Sequence, residues 1–431
     1  MNKKRKIIIA VVCAMLLFIA GFFIVYKTVF DPYRGTNDVY TESLPLDTVL
    51  TKLQAEEDIE YVMKMMRSRH PAWLEEQNAK VEAVEAQYEI EIAGLSDSPT
   101  VLDVWLSVSR ILNRLYDGHT AVFCRYPEDK YIDDFTQLRE IGVPKMINGE
   151  PTEMVFERFL EIYQYETEEF AYAIFTASVL CNKEYLEWVG IDTSEGVIFG
   201  YETDGKTEEY PYSFVPIDEV KGYTGSDDDE WVFYEIDAPH DVGIFTLTTC
   251  VCDAQYKKTV KEFFEAVAQQ NIDNIVIDLR WNGGGNSLVG DEFLRYIDVD
   301  GYDTWPSDVR FGNYLWKNPK SYQKNRRLNP QFGGNVYVLT NCRTYSAAMD
   351  FTMLVCDNQI GKVVGEASGN LPDSYGDCLY FVMPNSKLTF SVSYKRWYRV
   401  DEAKAGEPLM PDYPCDPEQA LEKVYELLDV E

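Results

Sequence analysis

Residues 336–355 read VYVLTNCRTYSAAMDFTMLV. The β-branched apolar run at 336–340 predicts a strand, and residues 347–355 have the pattern of a helix. Ser346 therefore lies at a strand-to-helix junction, close to the unpaired N–H groups and the positive dipole end of a helix. Chemistry that passes through an oxyanion needs such an environment. Serine is also a preferred helix N-cap, so this stretch alone leaves a catalytic and a structural interpretation of Ser346 open.

Strands and helices alternate on both sides of this stretch. The run at 274–279 is apolar throughout, which predicts a strand buried on both faces. Further strands are predicted at 242–248, 362–364, 378–383 and 388–394, and helices at 256–269, 287–297 and 418–428, with a long loop from 298 to 334. This alternation predicts an α/β sheet covered by helices. Ligands in such sheets bind beyond the carboxyl ends of the strands, where Ser346 falls.

A run of three glycines, Gly283-Gly284-Gly285, follows the strand predicted at 274–279. Adjacent glycines give the backbone freedom to converge N–H groups on a substrate carbonyl. A phosphate-binding loop is the rival interpretation, but neither of its spacings is present. A plain tight turn also fits. Asp278, at the end of the strand, could be catalytic, but pairing with Arg280 or capping the loop is the favoured interpretation.

A nucleophilic serine needs a base, and the chain has only three histidines. His70 precedes Pro71 in a helix-to-loop stretch and is interpreted as structural. His240 lies at the entry to a strand. His119 lies in the glycine-containing turn DGHT at 117–120, which makes it the best candidate for the base on local grounds.

Four motifs occur in a fixed order and carry a family resemblance: IDLRWNGGG at 277–285, TYSAA at 344–348, VGE at 364–366 and MPNSKL at 383–388. Together they resemble the C-terminal processing (tail-specific) and tricorn-core serine peptidase family. The resemblance implies a crotonase/ClpP-like α/β core with Ser346 as the nucleophile. It also implies an oxyanion hole formed by the N–H groups of Ala347 and of Gly284 or Gly285.

The family divides by the base that it uses. Members with a Ser–Lys dyad have a lysine after the strand that follows the nucleophile helix, but residues 365–376 contain none. The resemblance to the Ser–His–Glu members implies His119 as the base and Glu402 as the residue that orients it, with Glu407 as the alternative. Upstream, KMINGEP at 145–151 resembles the turn of the PDZ domain that many members carry, here in a degenerate form.

The amino-acid composition and the N-terminal sequence limit which partners the protein can bind and where in the cell it can lie. The formal net charge of −32 makes nucleic acid an improbable partner, because duplex binding needs clustered basic residues. The basic cluster at 3–6 precedes twenty apolar or small residues at 7–26, enough for one transmembrane helix with a cytoplasmic N-terminus. A cleavable signal peptide is the competing interpretation. A single-pass anchor in the bilayer and an extracytoplasmic catalytic domain are therefore expected.

Four domains are predicted along the chain. They are a basic tip and membrane anchor (1–30), a stalk and helical domain carrying His119 (31–130), a PDZ-like middle region (131–236) and the α/β peptidase core (237–431). Cys250-Val251-Cys252 lacks a second cysteine pair or a nearby histidine, so neither a metal nor a cofactor is predicted.

The predicted function is a membrane-anchored serine peptidase that hydrolyses protein or peptide substrates through an acyl-enzyme on Ser346. Because the base must be neutral, activity is expected to fall at acidic pH. The alternative is a catalytically inactive family member that binds a peptide or a hydrophobic ligand. In that case Trp281, Tyr345 and Trp397 would line the binding groove.

Overall fold

The strand and the helix predicted within residues 336–355 are present in the computed structural model, which describes residues 3–37, 42–124, 130–203, 205–223 and 230–429. The helices are α1 (Lys3–Val25), α2 (Lys52–Arg69), α3 (Ala79–Gly94), α4 (Val101–Asn113), α5 (Thr136–Glu140), α6 (Thr152–Ile162), α7 (Glu168–Ile174), α8 (Lys183–Trp188), α9 (Ala254–Gln270), α10 (Leu288–Leu294), α11 (Ala347–Asp357) and α12 (Ala420–Leu428). The strands are β1 (Val122–Phe123), β2 (Tyr131–Ile132), β3 (Met146–Ile147), β4 (Glu150–Pro151), β5 (Val197–Thr203), β6 (Lys206–Tyr212), β7 (Phe214–Val215), β8 (Val232–Asp237), β9 (Val242–Leu247), β10 (Asn274–Asp278), β11 (Gly301–Thr304), β12 (Ser307–Phe311), β13 (Tyr314–Asn318), β14 (Ser321–Lys324), β15 (Asn335–Thr340), β16 (Lys362–Gly365), β17 (Tyr375–Val382), β18 (Thr389–Trp397) and β19 (Tyr413–Pro414).

Two compact units divide the chain, and each takes several segments of it. The first comprises Met1–Arg125, Ser307–Asn318 and Tyr375–Arg396, and the second comprises the remainder. The strands predicted at 378–383 and 388–394 exist, but they lie in the first unit and not with the predicted core. They join β1, β12 and β13 in one five-stranded sheet. Local sequence patterns do not encode such pairing between distant segments. Positions 236 and 237 both lie in the second unit, and the division into four domains stays a prediction.

The second unit contains the predicted α/β sheet. Its six strands have the order β19-β16-β15-β10-β9-β8, and all neighbours are parallel except β8, which runs antiparallel to β9. The prediction that β10 is buried on both faces is confirmed, because Asn274, Ile275, Val276 and Ile277 are all buried. Ile275 and Ile277 pack into one core and Val276 into another, as the alternation of side chains along a strand requires.

The larger core lies between this sheet and α9, α10 and α11. Phe293 of α10 is at its centre, with ring centroids 5.2 Å from Phe245, 5.0 Å from Phe264 and 5.5 Å from Phe351. On the opposite face of the sheet, α12 contributes Ala420 and Val424 to the smaller core; the strand residues there are Val242, Ile244, Val276, Tyr337, Leu339 and Val364. Helices on both faces confirm the α/β class and leave the carboxyl ends of β10 and β15 side by side.

Residues 298–334, which precede β15, contain strands that the sequence analysis does not predict. The expected loop at 298–334 instead holds β11 and β14, paired as an antiparallel ladder, and β12 and β13, paired as a hairpin.

In the middle region, the predicted turn at Asn148-Gly149 joins β3 to β4, and both residues have a positive φ, of 48° and 79°. This hairpin joins β5 and β6 in a four-stranded sheet. The PDZ-like assignment stays a prediction.

An apolar helix begins the chain, and its last turn, Tyr26–Phe30, is a π-helix. Residues Val11–Phe30 are apolar and long enough to cross a membrane, as a signal sequence or an anchor would be. The next residues do not form a free stalk. The Tyr33 hydroxyl lies 2.8 Å from the Tyr394 hydroxyl, and the Asn37 N–H donates to the Tyr380 carbonyl at 2.8 Å, so residues 31–37 lie on the sheet of the first unit.

Replacement of Phe293 by alanine tests the position of the larger core. The ring is fully buried among aromatic neighbours, so Phe293→Ala should lower the free energy of unfolding by about 3–5 kcal/mol in urea titrations. Tyr322→Ala is the control, because Tyr322 is 62% exposed in the same unit and should change stability by at most about 0.5 kcal/mol. Equal effects of the two substitutions would contradict this packing.

Candidate active site

Ser346 has a backbone conformation that serine rarely adopts. Its φ of 52° and ψ of −124° lie outside the usual regions for L residues, and it directly precedes α11. Its N–H donates to the Asn370 Oδ1 at 2.7 Å. The Ser346 side chain makes no cap hydrogen bond to the helix, so the structural interpretation as an N-cap is not supported. Strain of this kind persists where surrounding contacts hold it, often at functional sites.

The glycine run packs directly against Ser346. Gly284 has a φ of 96°, and a β-carbon on it would lie 2.7 Å from the Ser346 β-carbon and 2.9 Å from the Ala347 nitrogen. Any other residue at this position would collide with the elbow, which we define as residues 344–347. Gly284 therefore permits the close approach of the loop to the helix N-terminus.

Asn282 holds this glycine loop in place. Its side chain is fully buried; its Nδ2 donates to the Leu247 carbonyl at 2.7 Å and its Oδ1 accepts the Gly284 N–H at 2.8 Å. Its backbone carbonyl accepts the Tyr345 N–H at 2.9 Å. The Gly284 N–H therefore already has an acceptor. The oxyanion-hole roles of Ala347 and of Gly284 or Gly285 stay predictions.

A second set of hydrogen bonds ties the ends of β10 and β15 together. Asn341, just after β15, accepts the Trp281 N–H at 3.0 Å through its Oδ1. The Thr344 hydroxyl donates to the Leu279 carbonyl at 2.9 Å and accepts the Asn341 N–H at 3.0 Å. The loop that carries the glycines and the loop that carries Ser346 are thus fastened to each other by buried polar groups.

Glu166, from the middle region, also contacts the elbow. Its two carboxylate oxygens each lie 3.1 Å from a donor, one from the Tyr345 hydroxyl and the other from the Leu371 N–H. The Phe170 ring packs on Tyr345 with centroids 4.6 Å apart. Leu371 follows Asn370, which accepts the Ser346 N–H. Glu166 therefore binds Tyr345, which precedes Ser346, and Leu371, which follows the hydrogen-bond partner of Ser346.

Two thiols lie close to these loops, and neither is an activated nucleophile. Burial raises the pKa of the Cys250 thiol to about 12, and its Sγ donates to the Asn282 Oδ1 at 3.5 Å. Burial and the nearby Glu366 carboxylate raise the pKa of Cys342 to about 11. Since a thiolate is the reactive form of cysteine, Ser346 is the better candidate nucleophile. The predicted ion pair of Asp278 with Arg280 is present, with an N···O distance of 2.6 Å.

His119 lies in the first unit, in the turn between α4 and β1. Its N–H donates to the Asp117 Oδ1 at 2.9 Å, and its carbonyl accepts the Ser391 hydroxyl at 2.7 Å. The Thr120 hydroxyl donates to the other Asp117 oxygen at 2.6 Å. The imidazole is 18% exposed, and its Nδ1 lies 3.9 Å from the Asp117 Oδ1. The turn thus holds a partly accessible histidine beside a buried carboxylate.

Asp117 is also bound to His70, which is fully buried as expected of a structural residue. The His70 Nδ1 accepts the Ala72 N–H at 3.2 Å, so its Nε2 carries the proton and donates to Asp117 at 3.1 Å. Burial lowers the pKa of His70 and keeps the ring neutral, although the Asp117 hydrogen bond opposes the shift. Burial raises the pKa of Asp117, but the hydrogen bonds that it accepts from His70 and Thr120 outweigh burial and hold that pKa well below its usual range.

Five predicted site residues lie in the second unit: Ser346, Ala347, Gly284, Gly285 and Glu402. Glu402 begins a short 3₁₀-helix and is exposed, as is Glu407. His119 lies in the first unit. The roles of His119 as base and of Glu402 as its orienting partner therefore stay predictions.

The sequence analysis did not predict which residues hold the elbow in place. Asn282, Asn341, Asn370 and Glu166 make their contacts through side chains that meet only in the folded chain. One signal was available for Asn282, because a polar residue between a buried strand and three glycines is typical of a side chain that holds a turn. A cavity of about 770 Å³ also lies in the second unit, but Ser346 and the glycines do not line it.

Comparison with known proteins agrees with this architecture. Residues 241–414 match the family model described as Peptidase family S41. The chain superposes on the crystal structure of mature CPAF with a TM-score of 0.60 and 13% identity, covering 88% of this chain and 96% of CPAF. A putative peptidase from Parabacteroides merdae gives a TM-score of 0.52 and 15% identity, with 87% and 96% covered. No curated protein matches the sequence.

These similarities confirm the expected family at the level of Peptidase family S41 for residues 241–414, and they confirm the mixed α/β fold of CPAF. The more detailed expectation, a Ser–His–Glu type instead of a Ser–Lys type, stays a prediction.

Replacement of Asn282 tests the support of the glycine loop. Asn282→Ala leaves the Gly284 N–H and the Leu247 carbonyl without their partner, so the free energy of unfolding should fall by about 1–3 kcal/mol. Amide hydrogen exchange of residues 283–285 should accelerate. Ser287→Ala is the matched control, because Ser287 directly follows the same loop and its side chain makes no cap hydrogen bond to α10. Unchanged exchange in Asn282→Ala would contradict the assigned support.

Acid should destabilise the protein through the His70–Asp117 pair. The unfolded chain binds a proton on His70 where the folded chain does not, so the free energy of unfolding should decrease as the pH falls below about 6.5. Asp117 adds a further loss below about pH 4, because its folded pKa is lowered. Urea unfolding at pH 7.5 and 5.5 measures the first effect.

The variant His70→Gln should reduce this pH dependence, because its side chain cannot titrate. His240→Gln is the control, since the His240 side chain is 52% exposed and belongs to the other unit. A slope in His70→Gln as steep as in the wild type would disprove the assignment.

Proposed function

We propose that this S41-type protein is a serine peptidase that cleaves peptide bonds through an acyl-enzyme on Ser346. The observation that carries the proposal is the strained Ser346 backbone, at φ 52° and ψ −124°, held at the N-terminus of α11 with Gly284 against it. A hydroxyl in this place has helix N–H groups and a glycine loop beside it, as acyl transfer requires.

In the proposed mechanism, the Ser346 Oγ attacks the scissile carbonyl carbon while His119 accepts the hydroxyl proton. The N–H groups of Ala347 and Gly285 stabilise the oxyanion; Gly284 is the less favoured donor because its N–H is already bound to Asn282. The C–N bond then breaks, and His119 returns the proton to the leaving amine. Water hydrolyses the ester by the same steps and regenerates Ser346.

The base and its partner are assigned by the family resemblance and by the surroundings of His119. The backbone of the His119 turn is bound to Asp117 and Ser391, which supports a fixed position for the imidazole. Glu402 is proposed to orient His119 and to stabilise its charged form, and Glu407 is the alternative. Tail-specific cleavage, which the resemblance also implies, is part of the proposal.

We also propose that the apolar N-terminal helix is an uncleaved anchor and that the catalytic domain is extracytoplasmic. The basic residues at 3–6 precede the apolar stretch Val11–Phe30, an order that keeps the N-terminus in the cytoplasm. The contacts of Tyr33 and Asn37 with the sheet of the first unit would then hold that unit close to the end of the helix.

Ser346→Ala tests the function directly. Hydrolysis of an unfolded protein such as β-casein should fall by up to about a million-fold, because the nucleophile is lost. The wild type should also react with a fluorophosphonate probe, and Ser346→Ala should not. Ser194→Ala, at an exposed serine of the same unit, should retain both activities. Labelling that persists in Ser346→Ala, or a wild type that neither reacts nor cleaves, would refute the proposal and favour a binding module.

The same assay separates the two candidate carboxylates. His119→Gln and Glu402→Gln should each lower kcat strongly, the second by up to about ten-thousand-fold, since an uncharged partner cannot stabilise the imidazolium. Glu407→Gln should behave like the wild type. The reverse pattern for the two glutamates would transfer the orienting role to Glu407.

A further inference from the structure

Trp281 combines two features that rarely occur together. It is an aromatic residue with a φ of 66°, and its side chain is 53% exposed. A bulky side chain at positive φ is a conformational outlier, and glycine occupies such positions without strain. The sequence nevertheless places a tryptophan here, immediately before Asn282 and the glycine loop.

The fold itself makes little use of the Trp281 indole. Within the part of the chain that the structure describes, the ring N–H of the indole donates to no acceptor and no aromatic ring stacks on the indole. The Trp281 backbone, in contrast, is held on both sides. The backbone N–H of Trp281 donates to the Asn341 Oδ1 at 3.0 Å, and the backbone N–H of Asn282 donates to the Leu279 carbonyl at 3.3 Å. Backbone strain at Trp281 is maintained by hydrogen bonds, and packing of the side chain does not compensate for it. Such strain indicates that the side chain has a function other than stabilising the fold.

The position of Trp281 suggests what that role is. The next residue, Asn282, accepts the Tyr345 N–H and holds Gly284, which packs against Ser346. A peptide bond that reaches Ser346 must therefore lie beside the loop that begins at Trp281.

Two other apolar side chains are exposed nearby, one on the loop after β9 and one at the start of α10. Val251 is 40% and Leu288 is 55% exposed. Val251 follows Cys250, whose backbone pairs with Gly285 and accepts the Asn286 N–H at 2.7 Å. Leu288 is tied to the same loop, because its N–H donates to the Asn286 Oδ1 at 3.0 Å. Exposed apolar groups thus lie on segments that are hydrogen-bonded to the glycine loop.

We propose that Trp281 is a specificity-determining residue that packs against an apolar side chain of the peptide substrate, next to the scissile bond. The inference rests on the proposed peptidase function. An indole offers a large, rigid apolar surface at little entropic cost, so it favours aliphatic and aromatic substrate residues over acidic or small polar ones. The ring is 53% exposed and is therefore available to a substrate.

The experiment uses the full-length protein in detergent with β-casein, an unfolded substrate with many possible sites. Cleavage sites are mapped by mass spectrometry for the wild type, Trp281→Gly, Trp281→Asn and Trp281→Phe. Glycine and asparagine both tolerate the positive φ, so these variants remove the indole without adding strain, and their Tm should not fall. Trp316→Ala is the matched control, because Trp316 is equally exposed but lies on β13 in the first unit.

The wild type should cleave beside apolar residues at one position relative to the bond. Trp281→Gly and Trp281→Asn should lose that preference, and Trp281→Phe should largely restore it. On a peptide made from the best site, Trp281→Gly should lower kcat/KM by about tenfold or more, mainly through KM, whereas a serine replacing the apolar residue should abolish the difference between variants.

Three outcomes would overturn the inference. Unchanged site preference and unchanged KM in Trp281→Gly would show that the indole does not contact substrate. A preference for basic residues that depends on Trp281 would show a different substrate chemistry. A wild type that neither cleaves β-casein nor reacts with a fluorophosphonate would refute the peptidase function and this inference with it, which distinguishes that failure from the other two.

Discussion

The contact between Gly284 and Ser346 is the constraint on which the candidate site depends. A β-carbon at Gly284 would lie 2.7 Å from that of Ser346, so the loop after β10 and the helix after β15 can meet only through a glycine. The parallel pairing of β10 with β15 brings these two segments to the same edge of the sheet. This approach places the glycine loop beside the strained serine at the N-terminus of α11.

The loops around Ser346 are held mainly by hydrogen bonds to neutral amide side chains. Asn282, Asn341 and Asn370 each accept a backbone N–H next to the site, at 2.8 Å, 3.0 Å and 2.7 Å. Amides can rigidify a buried loop without the large desolvation penalty of an ionised group, and they add no charge of their own. A site that must stabilise a transient oxyanion benefits, because no fixed negative charge of these residues opposes it.

Local sequence patterns predict those parts of the fold that depend on local periodicity. The strands β9, β10 and β15 and the helices α9 and α11 were predicted from alternation and helical spacing, and the structure confirms them. The strands at 298–334 were missed, since their pairing is made between short polar segments with little apolar alternation. Within the site, Ser346 and the glycines are visible as motifs. The choice between Gly284 and Gly285 is not, because it depends on where the Asn282 side chain lies.

Strain and its compensation explain why the elbow can be rigid before substrate binds. Ser346 and Trp281 both have a positive φ, which costs on the order of 1–3 kcal/mol for each non-glycine residue. The N–H groups of Trp281, Tyr345 and Ser346 each donate to an asparagine, and a buried hydrogen bond contributes about 0.5–1.5 kcal/mol net. These bonds therefore offset a strain of similar size on the same two loops. The strained geometry is thus maintained by the fold, and binding of a substrate need not create it.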